Sequence, residues 1–105
     1  MKKRAVRNDP NEHTSLVEVL HALADPVRLE IVRQLHLEGE KACGTFALDR
    51  AKSSLSHHFS VLRQTGIIQG ETQGTVIMNR LRSKELDARF PGLLQSVLAA
   101  AKRGG

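Results

Sequence analysis

The chain contains no tryptophan and no tyrosine, and its only aromatic rings are those of Phe46, Phe59 and Phe90. A core without large rings must be built from Leu, Ile, Val and Ala spread over several elements, and a partner subunit would help to complete it. Cysteine is almost absent as well. Cys43 is the single thiol in 105 residues, which excludes an internal disulfide and fits a reducing compartment. No apolar run approaches the roughly 20 residues that cross a bilayer. The opening MKKRAVRNDPNEHTS is basic with no apolar run behind it, so it does not read as a signal peptide. The expected location is the cytoplasm, with no membrane partner. Acidic charge is in deficit, with 11 Asp and Glu against 16 Lys and Arg and a net charge of +5. Such a balance favours a polyanionic partner, although ribosomal, nucleoid and membrane-surface proteins share it. There is also no Gly-rich phosphate loop, no paired-carboxylate site and no room expected for a deep pocket. These absences argue against an enzyme.

What is present divides into short helical and β-rich stretches within one small domain, which would bury roughly 65% of its unfolded surface. Residues 1–13 are polar and charged without periodicity and read as a flexible basic arm, leaving 14–102 as the folded domain. Leu16, Val19, Leu20 and Leu23 recur at helical spacing and predict a first helix over 14–24. Asp25-Pro26 is a restart signal, because Asp accepts from free helical N–H groups and Pro suits the first helical position. The second helix is expected over 26–37, with Gly39 in the turn after it. Cys43 to Leu48 allows a short third helix. A fourth, capped by Ser53 or its neighbour, runs to about Thr65, with Gly66 as its left-handed terminator. Ile67–Gln69 and Thr75–Leu81 then flank a Gly-, Thr- and Gln-rich turn, which predicts a hairpin. Ser83 is expected to cap the last helical region, which Phe90-Pro91 divides.

The segment Ser53-Ser54-Leu55-Ser56-His57-His58-Phe59 gathers three hydroxyls and two imidazoles. Leu55, Phe59 and Leu62 fall at i, i+4 and i+7, one buried face. Ser53, His57, Ser60 and Gln64 fall opposite, with Ser56 at the flank. The fourth helix is therefore a polar face on an apolar anchor. The two histidines are about 100° apart around the helix, too far to grip one metal readily. His58 reads as a partly buried residue on the core side and His57 as a contact to another molecule. Arg28 and Arg33 read equally as solvated charge or as phosphate clamps.

This order of elements is that of a winged helix-turn-helix, mainly α with a small β-hairpin. In that motif a helix enters the DNA major groove, about 12 Å wide, and the hairpin touches the backbone or minor groove. The stretches LADPVRLEIVRQL (23–35), SSLSHHFSVLRQTGII (53–68) and GTVIMNRLR (74–82) resemble the ArsR/SmtB family of small bacterial repressors over about residues 16–98. The resemblance implies a homodimer, paired through its first and last helices, that represses from a palindromic operator until an inducer arrives. It puts base contacts at Ser54, Ser56 and His57, with Lys52, Ser53, Ser60 and Arg63 on neighbouring bases or phosphates. The implied partner is double-stranded DNA with an inverted repeat.

Two departures from the family pattern stand out. Metal-sensing members carry a Cys-x-Cys pair on the third helix or His and Asp ligands on the last one. Here there is a lone Cys43, and the last region has Asp87 but no histidine, so no metal and no cofactor are expected and the inducer is open. Cys43 reads first as an inert thiol, with a redox switch as the alternative. The wing tip ETQGT lacks the usual Arg or Lys, leaving phosphate contacts to Thr72, Gln73, Thr75 and backbone N–H groups. At the seam, Leu16 and Leu20 on the first helix and Leu93, Leu94, Val97 and Leu98 on the last are the expected dimer residues. A winged-helix module for protein or RNA is the remaining alternative among binding functions.

Overall fold

The computed structural model of the chain describes residues 14–46, 48 and 52–104, plus the backbone at 4–5; at 52, 53 and 104 it likewise describes the backbone alone. Its elements are β1 (Arg4–Ala5), α1 (Leu16–Leu23), α2 (Pro26–Glu38), β2 (Lys41–Ala42), a 3-10 turn (Cys43–Thr45), α3 (Lys52–Gln64), β3 (Ile68–Gln73), β4 (Val76–Leu81), α4 (Ser83–Arg89) and α5 (Leu93–Gly104). The strands form an antiparallel sheet in the order β1-β3-β4-β2. This is a winged helix-turn-helix architecture, with β3 and β4 as the wing.

Helix starts and stops follow local chemistry. Ser15 caps α1 in a capping box with Glu18, so the helix begins two residues later than its periodicity predicts. At α2, Asp25 Oδ1 accepts from the N–H groups of Val27 (2.9 Å) and Arg28 (3.1 Å), and Pro26 takes the first helical position. Burial alone would raise the Asp25 carboxyl, but these amide donors and the charges of Arg28 and His58 outweigh it and hold it below 3.8. Asp25→Ala should therefore cost about 1 kcal/mol by chemical denaturation at neutral pH. A carboxylate depressed in the folded state stabilises above its unfolded range and loses that effect as pH falls through its folded value. The deficit of the variant should accordingly shrink in acid. A deficit that is the same at pH 7 and in strong acid would count against the cap.

The end of α3 is a Schellman motif. Gly66 has φ 77°, its N–H donates to Arg63 O (3.1 Å), and the N–H of Ile67 donates to Leu62 O (3.0 Å). Leu62 and Ile67 are both fully buried, so the motif also carries its apolar contact. The wing turns through Gly74 and Thr75, with Gln73 paired to Val76 and Gly74 at φ 68°. A two-residue hairpin of this kind needs a positive φ at its first central position, hence glycine.

Several expectations are corrected. Ser53 is the second residue of α3 rather than its cap, and Ser83 is the first residue of α4, with Arg82 at the cap position and no side-chain cap bond. Phe90-Pro91 does divide the last helical region, and α5 starts at Leu93, after a turn in which Gly92 has φ 80°. Only a 3-10 turn occupies the described part of the expected third helix, preceded by the unforeseen β2. Residues 47 and 49–51 lie outside the described residues. So does the arm at 1–13, except that Arg4 and Ala5 pair with Thr72 and Glu71 on the outer edge of the wing. The wing is longer than its apolar runs suggested, because β3 continues through Gly70 to Gln73.

The core gathers Val19, Ala22 and Leu23 from α1, Ile31, Val32 and Leu35 from α2, Phe59 and Leu62 from α3, Ile67 and Ile68 at the sheet, and Leu86, Leu94 and Leu98 from the last two helices. Phe46 and Phe59 meet edge to face, centroids 5.1 Å apart. Leu94 and Leu98, expected at the dimer seam, belong instead to the protomer's own core at 9% and 8% exposure.

Candidate nucleic-acid interface

α3 is fixed from three sides. Phe59 and Leu62 sink its apolar stripe, at 2% and 0% exposure. A second hold comes from Arg28, a buried residue whose Nε donates to Ala22 O (2.6 Å) at the end of α1 and whose Nη1 meets His58 Nδ1 (3.1 Å). Arg28 is therefore neither solvated charge nor phosphate clamp, and His58 sits part-buried on the core side as its helical angle predicts. Arg33 is a surface charge neutralised by Glu30 through two bonds of 2.8 and 2.7 Å. The hydrogen bond from Arg33 is the main reason the Glu30 carboxyl stays below its ordinary value.

The third hold is Arg63. Its Nη2 donates to Asn79 Oδ1 on β4 (3.1 Å), and Asn79 Nδ2 in turn bonds Lys41 O on β2 (3.3 Å) and Cys43 Sγ (3.1 Å). This polar node ties α3 to the wing and to the turn before it. It also corrects the expectation that Arg63 reads DNA, because at 7% exposure the guanidinium points into the protein. The signal was in the sequence. Arg63 stands four residues after Phe59, on the buried row, and Asn79 shares a strand face with Ile77 and Leu81.

What remains outward on α3 is short and polar. Ser54, Ser56 and His57 are exposed, Ser60 is half-buried, and Gln64 Nε2 reaches Ser60 Oγ (3.4 Å). Lys52 and Ser53 belong to the first turn of the same helix, with side chains outside the described residues. The wing brings Thr72 and Gln73 on β3 and Thr75 in the exposed turn. The cation nearest in sequence on β4, Arg80, lies away from the tip, with Nη1 3.6 Å from Glu85. Arg4, which sequence reasoning left in an unstructured arm, is opposite Thr72 on the wing's outer edge. No periodicity marks a two-residue strand, so nothing local could have found it.

The third-helix region places Cys43 beside Arg63 Nη2 (3.5 Å) as well as Asn79. Among the described residues no group of three or more His, Cys, Asp or Glu is close enough to hold a metal ion. Nor is any helix there long and apolar enough to cross a membrane.

The sequence that builds this polar helix face and its two-stranded wing is similar to that of proteins named as transcriptional regulators. Residues 25–69, from the cap of α2 into β3, match the family model described as bacterial regulatory protein, arsR family. The uncharacterized HTH-type transcriptional regulator YceK of Bacillus subtilis is 29% identical over 83 residues, covering 76% of this chain and 83% of that protein. The uncharacterized HTH-type transcriptional regulator MJ1325 of Methanocaldococcus jannaschii is 30% identical over 67 residues, 61% of this chain and 74% of its own length. The HTH-type transcriptional repressor SmtB of Mycobacterium tuberculosis is 35% identical over 71 residues, 66% of this chain but only 52% of SmtB.

The chain belongs to the ArsR family. It is a DNA-binding transcriptional regulator, and the matched segment holds α3 together with Arg28 and Arg63, two of the residues that fix it. The family is one of regulators rather than enzymes.

Proposed function

We propose that the protein is a cytoplasmic repressor that binds an inverted-repeat operator as a homodimer, laying one copy of α3 in the major groove of each half-site. The observation that carries this reading is the exposed Ser54, Ser56 and His57 face on a helix locked by Phe59, Arg28 and Arg63. Hydroxyl and imidazole groups both donate and accept, and their shortness lets the helix backbone come close to base edges. Ser60 and the first-turn residues Lys52 and Ser53 flank that face, suited to neighbouring bases or phosphates. Thr72, Gln73 and Thr75 offer the wing's hydroxyl and amide donors to the backbone, and the β1 segment paired beside Thr72 includes a residue of basic type, Arg4.

A seam for the dimer is available on α1, where Leu16, Val17 and Leu20 stand 45%, 73% and 42% exposed, and on α5 at the partly buried Leu93 and Val97. Two copies paired there would present two α3 helices for half-sites about one helical turn (~34 Å) apart.

Gel-shift titration on DNA from upstream of its own coding region tests the contacts. Ser56→Ala and His57→Ala should each weaken specific binding by ~1–3 kcal/mol, while leaving non-specific binding nearly as it was. Lys52→Ala and Arg4→Ala should instead weaken every sequence alike and lower the salt slope by about one phosphate contact per substituted residue. If Ser56→Ala and His57→Ala together kept wild-type sequence preference, α3 would not be the reading helix.

A further inference from the structure

Between α3, the Cys43–Thr45 turn and the wing lies a cleft of about 550 Å³, a space that the sequence did not announce. That volume is within the range, roughly 300–1,000 Å³, of small-molecule sites. Its walls are mainly apolar, with Phe46, Leu48, Leu55 and Ile77 contributing side chains, and they include Cys43 and Arg63.

Among the described residues of that wall Arg63 is the one that carries a charge, and its surroundings are incomplete. The side chain is 7% exposed. Among the described residues no carboxylate lies within ion-pair distance of it, whereas Arg33, Arg80 and Arg82 each have a glutamate. Its partners are a neutral amide, a sulfur atom and the ring of Phe59, 5.8 Å from the guanidinium carbon. Its Nε is buried with no hydrogen-bond partner. Buried charges are normally paired, because taking an ion out of water is costly unless an opposite charge compensates it. Among the described residues, then, no anion compensates this enclosed cation, which has an idle donor and stands at the wall of an apolar cleft.

We propose that this cleft binds a small organic acid, its carboxylate taken by Arg63 and its apolar body lying against Phe46, Leu48, Leu55 and Ile77. The planar fork of Nε and Nη2 matches two carboxylate oxygens. Nη2 is the atom that holds Asn79, so the carboxylate takes the fork only by releasing that bond. Ligand binding thereby unlatches β4, the strand that pairs with β3 in the wing, from α3. This regulatory half rests on the DNA-binding reading above; the binding half does not.

Isothermal titration of the full chain, without DNA, tests the site with octanoate and 4-phenylbutyrate against their neutral alcohols. Saturable binding of an acid at one per chain is expected, at least ten-fold tighter than the matching alcohol. Arg63→Met should reduce the acid to the level of the alcohol, with folding followed by circular dichroism. Should that variant unfold, Leu48→Trp, at a partly exposed position, should fill the cleft and abolish binding with the helical spectrum retained. No binding of either acid, alcohols binding as tightly, or acid binding unchanged in a folded Leu48→Trp would overturn the site. Gel shifts on the upstream DNA with saturating octanoate should then show release, and binding without release would overturn the regulatory half. Loss of the shift in the absence of any acid would count against the DNA-binding reading alone, since the calorimetry uses no DNA.

Discussion

Phe59→Ala is expected to remove ~3–5 kcal/mol of stability, the usual cost of emptying a fully buried aromatic site. Domains of this size hold only about 5–15 kcal/mol in total, so the variant should be largely unfolded at 37 °C. The ring is 2% exposed, meets Phe46 edge to face, and carries the guanidinium of Arg63 above it. It is the point at which the outward Ser56-His57 face is anchored to the interior. With Phe59 and Phe46 the only ring pair among the described phenylalanines, no second aromatic contact can take over. Urea unfolding should therefore show a much lower midpoint with a similar slope, and DNA affinity should fall with the folded fraction. Phe59→Leu, which keeps most of the volume, should cost far less. A loss below about 1 kcal/mol for Phe59→Ala would mean that the site collapses freely and that α3 is held chiefly by its polar contacts.

The same residue illustrates what the sequence made legible. Leu55, Phe59 and Leu62 at helical spacing located the buried stripe and therefore the outward face. Asp25-Pro26 and Gly66 marked two helix boundaries that the structure realises with the expected hydrogen bonds. Those features were readable because they depend on neighbours a few residues away. Arg63 was not, because its charge suggests solvent while its position on the Phe59 row places it inside. Only the fold brings Asn79, sixteen residues on, to receive it. Arg28 was left undecided for the same reason, since its partners Ala22 and His58 come from the helices before and after its own. The two-residue strands β1 and β2 are edge additions to a hairpin, and they exist through pairing rather than through any pattern of their own. The apolar excess of α5 is divided in the structure, with Leu94 and Leu98 buried within one chain and Leu93 and Val97 partly buried. Leu94 and Leu98 complete the protomer, which leaves Leu93 and Val97 for the proposed partner.

That division gives the proposed dimer a sharp test at Val17. Its side chain is 73% exposed in the protomer, so an aspartate there is hydrated in the monomer and should leave stability within about 0.5 kcal/mol, as surface changes usually do. At a two-fold seam the same carboxylate would be buried without a partner, at a cost of several kcal/mol per subunit. Val17→Asp should therefore keep the far-ultraviolet spectrum of the wild type yet shift light scattering at micromolar concentration from dimer to monomer. Operator affinity should fall with it by a factor of ~10²–10⁴, because the second half-site contact is no longer tethered to the first. Leu94→Asp is the contrast: that position is 9% exposed within one chain, so its carboxylate should unfold the protomer whatever its assembly. Equal damage from both substitutions would place Val17 in the protomer's own packing. A dimeric Val17→Asp with full operator affinity would move the seam away from α1 altogether.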